Sequence, residues 1–122
     1  MEMTKVNSVQ DLIVWQRSFD LAEELYELTS RFPREELYGL TSQIRRASVS
    51  IPANIAEGYA RFSRKDYARF IAIALGSARE VETLILFAIR VKVTSREDAK
   101  RSLELVDECC RMLSSIRRKL AV

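Results

Sequence analysis

From Glu36 to Arg61 the chain reads ELYGLTSQIRRASVSIPANIAEGYAR, and its apolar residues recur at helical spacing. Leu37, Leu40, Ile44, Ala47, Ile51 and Ile55 follow one another at steps of three and four, which draws a core-facing stripe on a helix of 3.6 residues per turn. Beside it runs a polar row at the same spacing: Gln43, Arg46, Ser50, Asn54, Glu57 and Arg61. It is rotated from the stripe by roughly 100°, the angle of one residue on a helix. This stretch commits the chain to helix, and its polar row is the first place to look for function.

Pro52 sits inside the stripe. It has no N–H for the carbonyl of Ser48, and its ring crowds that carbonyl, which costs about 3 kcal/mol in a regular helix. One reading is a helix kinked near Pro52, with Ser48 and Ser50 bonding freed carbonyls. The other is a helix that stops near Ser50 and restarts with Pro52 in its first turn. The apolar period passes through position 52 without slipping phase, which favours the kink.

Three further stretches keep a helical period. From Asp11 to about Phe32, Trp15, Phe19, Ala22 and Tyr26 form one apolar row, and Leu21, Leu25, Leu28 and Phe32 form another. So wide an arc needs more than one neighbour to cover it, within a bundle or between subunits. Pro33 ends this helix. Ser63 followed by Asp66 predicts the start of a third helix, over about Arg64 to Lys92. Its buried side is Tyr67, Phe70, Ile71, Ala74, Ala78, Val81, Ile85 and Ala88, and Gly76 and Ser77 are small enough to admit a close neighbour. Thr94 or Ser95 then caps a fourth helix, which turns Ala99, Leu103, Val106, Cys110 and Leu113 inward. Only three glycines and two prolines among 122 residues suit long helices. The expectation is all-α: an antiparallel up-down-up-down four-helix bundle over residues 11–122, with residues 1–10 as a flexible N-terminal arm.

The charge is uneven. Residues 34–69 hold seven basic and four acidic side chains, and residues 111–122 hold four basic and none acidic. Such clusters attract phosphate backbones, although cations at a helix C-terminus also complement its dipole. Cys109 and Cys110 are adjacent, a poor geometry for a disulfide, and with no histidine in the chain they suggest no zinc site. The longest apolar runs, FIAIAL and LILFAI, are too short to span a bilayer, and the N-terminus has no signal-peptide run. A cytoplasmic protein with no membrane partner, metal or cofactor is expected.

The segments DLIVWQRS, LTSRFPREELYGLTSQIRRASVSIPANIAEGYAR and FIAIALGSAREVET together resemble the four-helix-bundle family of 23S rRNA intervening-sequence proteins. The resemblance covers about residues 11–87, with VWQ, FP, YGL, QIRRA and SIPANIAEG in the family's order, while the last helix matches only in type. It implies a left-handed bundle that assembles into a ring, typically a homopentamer, and an association with ribosomal RNA inserts. The accessory protein of diversity-generating retroelements is distantly similar, which implies a nucleic-acid enzyme as another kind of partner.

Catalysis is hard to build from these residues, since there is no histidine, phosphate loop or metal-ligand spacing. No catalytic residue is assigned and no enzyme is expected. Glu57 with Arg61, Asn54 and Arg46 reads first as a structural network. For nucleic acid, Arg45, Arg46, Arg61, Arg64, Lys65 and Arg69 supply candidate phosphate contacts, with Tyr59 or Phe62 to stack on unpaired bases. Arg45 and Arg46 flank the apolar stripe on opposite sides and should diverge. The alternative function is an oligomeric scaffold that presents a surface to a protein partner, supported by the wide apolar arc around Trp15 and Tyr26.

Overall fold

A computed structural model describes residues 8–121. Four helices account for the fold: α1 (Ile13–Thr29), α2 (Ser42–Tyr59), α3 (Arg64–Arg90) and α4 (Lys100–Leu120). α1 packs against α2 and α4, and α3 packs against the same two, so each helix has two neighbours around one core. Leu21, Leu25 and Leu28 of α1 meet Ile44, Ile51 and Ile55 of α2, Ile71, Val81 and Ile85 of α3, and Leu105, Val106 and Leu113 of α4, all essentially inaccessible to water. Each such side chain contributes about 1.5–3 kcal/mol of transfer free energy.

The stretch from Glu36 to Arg61 is not one helix. A 3-10 turn at Arg34–Glu36 and a π-type turn at Leu37–Thr41 precede α2, and Gly39, inside the second of these at φ −113° and ψ −112°, leaves helical geometry. The Glu36 carboxylate accepts from the Leu40 N–H at 3.3 Å. α2 then runs through Pro52 as one unbroken helix, which removes the restart reading. The Ser48 hydroxyl donates to the Arg45 carbonyl at 2.9 Å, and that of Ser50 lies 2.8 Å from the Ala47 carbonyl. Both therefore serve carbonyls one turn back and not the carbonyl of Ser48 itself.

Ser63 caps α3 as its sequence indicates, accepting from the Asp66 N–H at 3.1 Å. At its far end Lys92 adopts φ 67°, the only positive φ among the described residues, while the Val93 N–H bonds the Ala88 carbonyl at 2.9 Å. This is the left-handed helix stop usually given to glycine. Ser95 accepts from the Asp98 N–H at 3.0 Å, but it caps a turn that leads into α4, and the helix proper begins at Lys100.

Of the expected arm, Ser8 caps a 3-10 turn at Val9–Asp11, and Gln16 Nε2 donates to the Gln10 carbonyl at 2.8 Å. Residues 1–7 of that arm lie outside the described residues.

Candidate nucleic-acid interface

The polar row of α2 meets three different surroundings along its length. Gln43 and Arg46 line an open groove with Ala47, Ser50 and Glu80 of α3. In the middle, the Ser50 hydroxyl lies 2.7 Å from that of Ser77 on α3, and Asn54 Nδ2 donates to the Ser50 carbonyl at 2.7 Å. At the end, Arg61 pairs with Glu57 at 2.7 Å, one turn apart. The middle and end of the row are thus bonded internally.

Gly58 makes the lower half possible. A Cβ added there would stand 2.7 Å from the Phe70 Cβ and 3.1 Å from Tyr67 Cδ1, so α2 and α3 touch where the side chain is missing. The Arg61 guanidinium lies 5.0 Å from the Phe70 ring centre and that of Arg69 lies 4.5 Å from it, which brings both arginines to one aromatic side chain. Gly76, read from sequence as a close-approach residue, is exposed with nothing within 4 Å of a Cβ.

Two of the six candidate phosphate contacts close helix ends. Arg45 donates from Nε to the Thr29 hydroxyl at 2.8 Å and from Nη2 to the Tyr26 carbonyl at 3.4 Å, while its guanidinium sits 4.5 Å from the Tyr26 ring centre. It closes the C-terminus of α1, while Arg46 lines the groove toward Glu80 of α3 and both border a second pocket with Tyr26 and Tyr38. Arg64 donates to the carbonyls of Lys119 at 2.7 Å and Leu120 at 3.3 Å and so closes the C-terminus of α4. Those carbonyls carry the negative end of the helix dipole, and a guanidinium there satisfies groups the helix leaves unbonded.

The Arg64 contact also unites the two basic segments of the sequence. It brings the last turn of α4, with Arg117, Arg118 and Lys119 exposed, beside the α2–α3 turn and the start of α3, with Arg61, Arg64 and Lys65 exposed. Glu57 and Asp66 are the nearby acids in sequence on α2 and α3. Two tyrosines at this end pack together, with the rings of Tyr59 and Tyr67 edge to face at 6.3 Å. Burial, and then the neighbouring Tyr59, raise the Tyr67 phenol pKa. Phe62 instead stands fully in solvent.

A second surface was legible only as a wide stripe. Trp15 and Phe19 stack at 4.6 Å and, with Ala22, Tyr26, Val49, Pro52, Ala53 and Ala56, line an apolar groove of about 570 Å³ between α1 and α2. Glu23 is its one charged wall. Phe19 and Tyr26 are 55% and 46% exposed, so this row of α1 is not absorbed by the core.

The perturbed thiols are inert ones. Burial first, and next the adjacent Cys110, push the Cys109 thiol up to about 12, and burial also raises Cys110. Among the described residues no three His, Cys, Asp or Glu side chains gather to hold a metal, and no helix is long and apolar enough to cross a membrane.

The sequence matches the family model described as 23S rRNA-intervening sequence protein over residues 10–115, a span that reaches into the last helix. No curated protein matches the chain. Among solved structures, the fold is similar to a protein of unknown function from the S23 ribosomal protein family of Bacteroides thetaiotaomicron. The two are 28% identical with a TM-score of 0.77, over 86% of this chain and 98% of that one.

Proposed function

Because the chain belongs to the 23S rRNA-intervening sequence protein family, we propose that it is a non-enzymatic, cytoplasmic helical bundle that binds RNA through the basic end formed by the α2–α3 turn and the end of α4. The observation that carries this reading is the Arg64 contact, since it joins the two basic segments into one surface. Binding through Lys65, Arg69, Arg117, Arg118 and Lys119 would be dominated by phosphates and sensitive to salt, with little base preference. Burial holds both thiols above their ordinary pKa, so neither offers a ready thiolate nucleophile. Fluorescence anisotropy with a structured RNA tests it: Lys65→Glu with Arg118→Glu should weaken binding and lower the salt slope by about one per residue. Absence of binding by the native chain at low salt overturns the reading.

The second reading, an oligomeric scaffold for a protein partner, is favoured by the groove around Trp15 and Phe19. An exposed apolar surface of this kind suits a protein contact, either with further copies in a homopentamer or with a nucleic-acid enzyme. Light scattering distinguishes the readings, because charge reversal at the basic end should leave the mass unchanged while Phe19→Asp should reduce it. A monomeric mass for the native chain removes self-assembly.

A further inference from the structure

Charge alone does not account for Phe62. Its side chain is 107% exposed at the tip of the α2–α3 turn, with Arg61, Arg64 and Lys65 around it in sequence and all exposed. The other aromatic rings of this end are engaged. Tyr59 and Tyr67 pack on each other, and Phe70 is covered by Arg61 and Arg69. Among the described residues no ring or cation packs on Phe62, and its exposed ring can receive a planar group.

A paired helix offers little to such a ring. Its bases are stacked inside, and recognition of duplex RNA runs through shape, phosphates and 2′-hydroxyls. An unpaired nucleotide instead presents a base face, and proteins that bind single strands combine a basic surface with exposed aromatic rings. Resting on the nucleic-acid reading above, we propose that the basic end selects unpaired nucleotides, with Phe62 stacking on one base and Lys65, Arg117, Arg118 and Lys119 holding neighbouring phosphates. Arg61 contributes less to those phosphates because its guanidinium is paired with Glu57. Arg64 contributes field more than contact, since its Nε and Nη2 already donate to the last carbonyls of α4.

The test uses the full-length chain, a labelled single-stranded oligouridylate and a blunt RNA duplex of equal length. Phe62→Ala, at an exposed position, should weaken the single strand by about five-fold to a hundred-fold and leave the duplex unchanged. Phe62→Trp should retain single-strand binding, with indole emission quenched by the single strand beyond any change seen in native protein carrying Trp15 alone. If Phe62→Ala binds both ligands as the native chain does while Lys65→Glu with Arg118→Glu loses both, stacking is refuted and the basic-end reading stands. Equal weakening of both ligands also overturns selection of unpaired bases. A changed mass for Phe62→Ala in light scattering makes the ring an assembly contact and overturns the proposal. If the native chain binds neither ligand at low salt, the underlying reading falls first.

Discussion

Replacing Gly58 and Gly76 by alanine should move stability in opposite directions, although both glycines sit in helices. At Gly76 the added methyl meets nothing within 4 Å and φ is not positive, so only the helix propensity term acts. That term favours Gly76→Ala by about 0.5–1 kcal/mol. At Gly58 the same gain is opposed by a Cβ 2.7 Å from the Phe70 Cβ and 3.4 Å from the Tyr67 carbonyl. Neither contact is the far end of a flexible chain, so α3 itself has to move. Overpacking of this kind costs about 1–3 kcal/mol, and after the propensity gain the net for Gly58→Ala is a loss of up to about 2.5 kcal/mol. Urea unfolding followed by circular dichroism, at matched protein concentrations and repeated over a dilution series, reads both variants as shifts of midpoint at constant slope. Stabilisation by Gly58→Ala would refute the close packing of α2 on α3. A loss for Gly76→Ala that grows with protein concentration would instead reveal a contact between copies at that face.

Removing either capping arginine should destabilise the chain without touching the core: Arg64→Ala by about 1 kcal/mol and Arg45→Ala by about 1–2, as read by thermal unfolding. Lys92→Gly should stabilise by about 0.5–1 kcal/mol in the same assay, because Lys92 holds φ 67° where glycine has no Cβ to crowd. Stability should also fall at alkaline pH. The Cys109 thiol ionises near 9.0 when unfolded and is pushed up to about 12 in the fold, so its contribution is complete below pH 9 and is lost as pH rises between these values. Cys109→Ala should flatten that decline only in part, since Cys110 and Tyr67 are shifted in the same direction.

The core was readable because burial follows the helical period. Ile44, Ala47, Ile51 and Ile55 alternate as the stripe requires, and the same holds for Ile71, Ala74, Ala78, Val81 and Ile85. What sequence could not supply were properties of pairs far apart in the chain. Gly58 looks like a weak helix end until Phe70 is brought against it, and Gly76 looks like a packing site until nothing arrives. Arg64 finds its partners 55 and 56 residues away, a distance at which no local pattern signals a helix cap. Likewise both rows of α1 are apolar and keep the helical period. Only the packing of α2 and α4 decides that Leu21, Leu25 and Leu28 are buried while Phe19 and Tyr26 remain outside.

The polar row of α2 shows why a row is not a site. Its spacing fixes a direction, but what each residue meets depends on what α3 presents at that height. Ser50 meets Ser77, Arg61 meets Phe70, and Arg46 faces the open groove beside Glu80. Internal bonding therefore sorts the arginines more strongly than their sequence neighbours do. Arg45 and Arg64 keep their charge, and so still add to the field of the bundle, but Nε and Nη2 of each are bonded internally, those of Arg45 to the Thr29 hydroxyl and the Tyr26 carbonyl and those of Arg64 to the Leu120 and Lys119 carbonyls. A phosphate needs donors as well as field, so the contacts fall to cations whose side chains close no helix. Lys65, Arg117, Arg118 and Lys119 meet that condition at one end of the fold, and the exposed Phe62 stands in the turn just before the first of them.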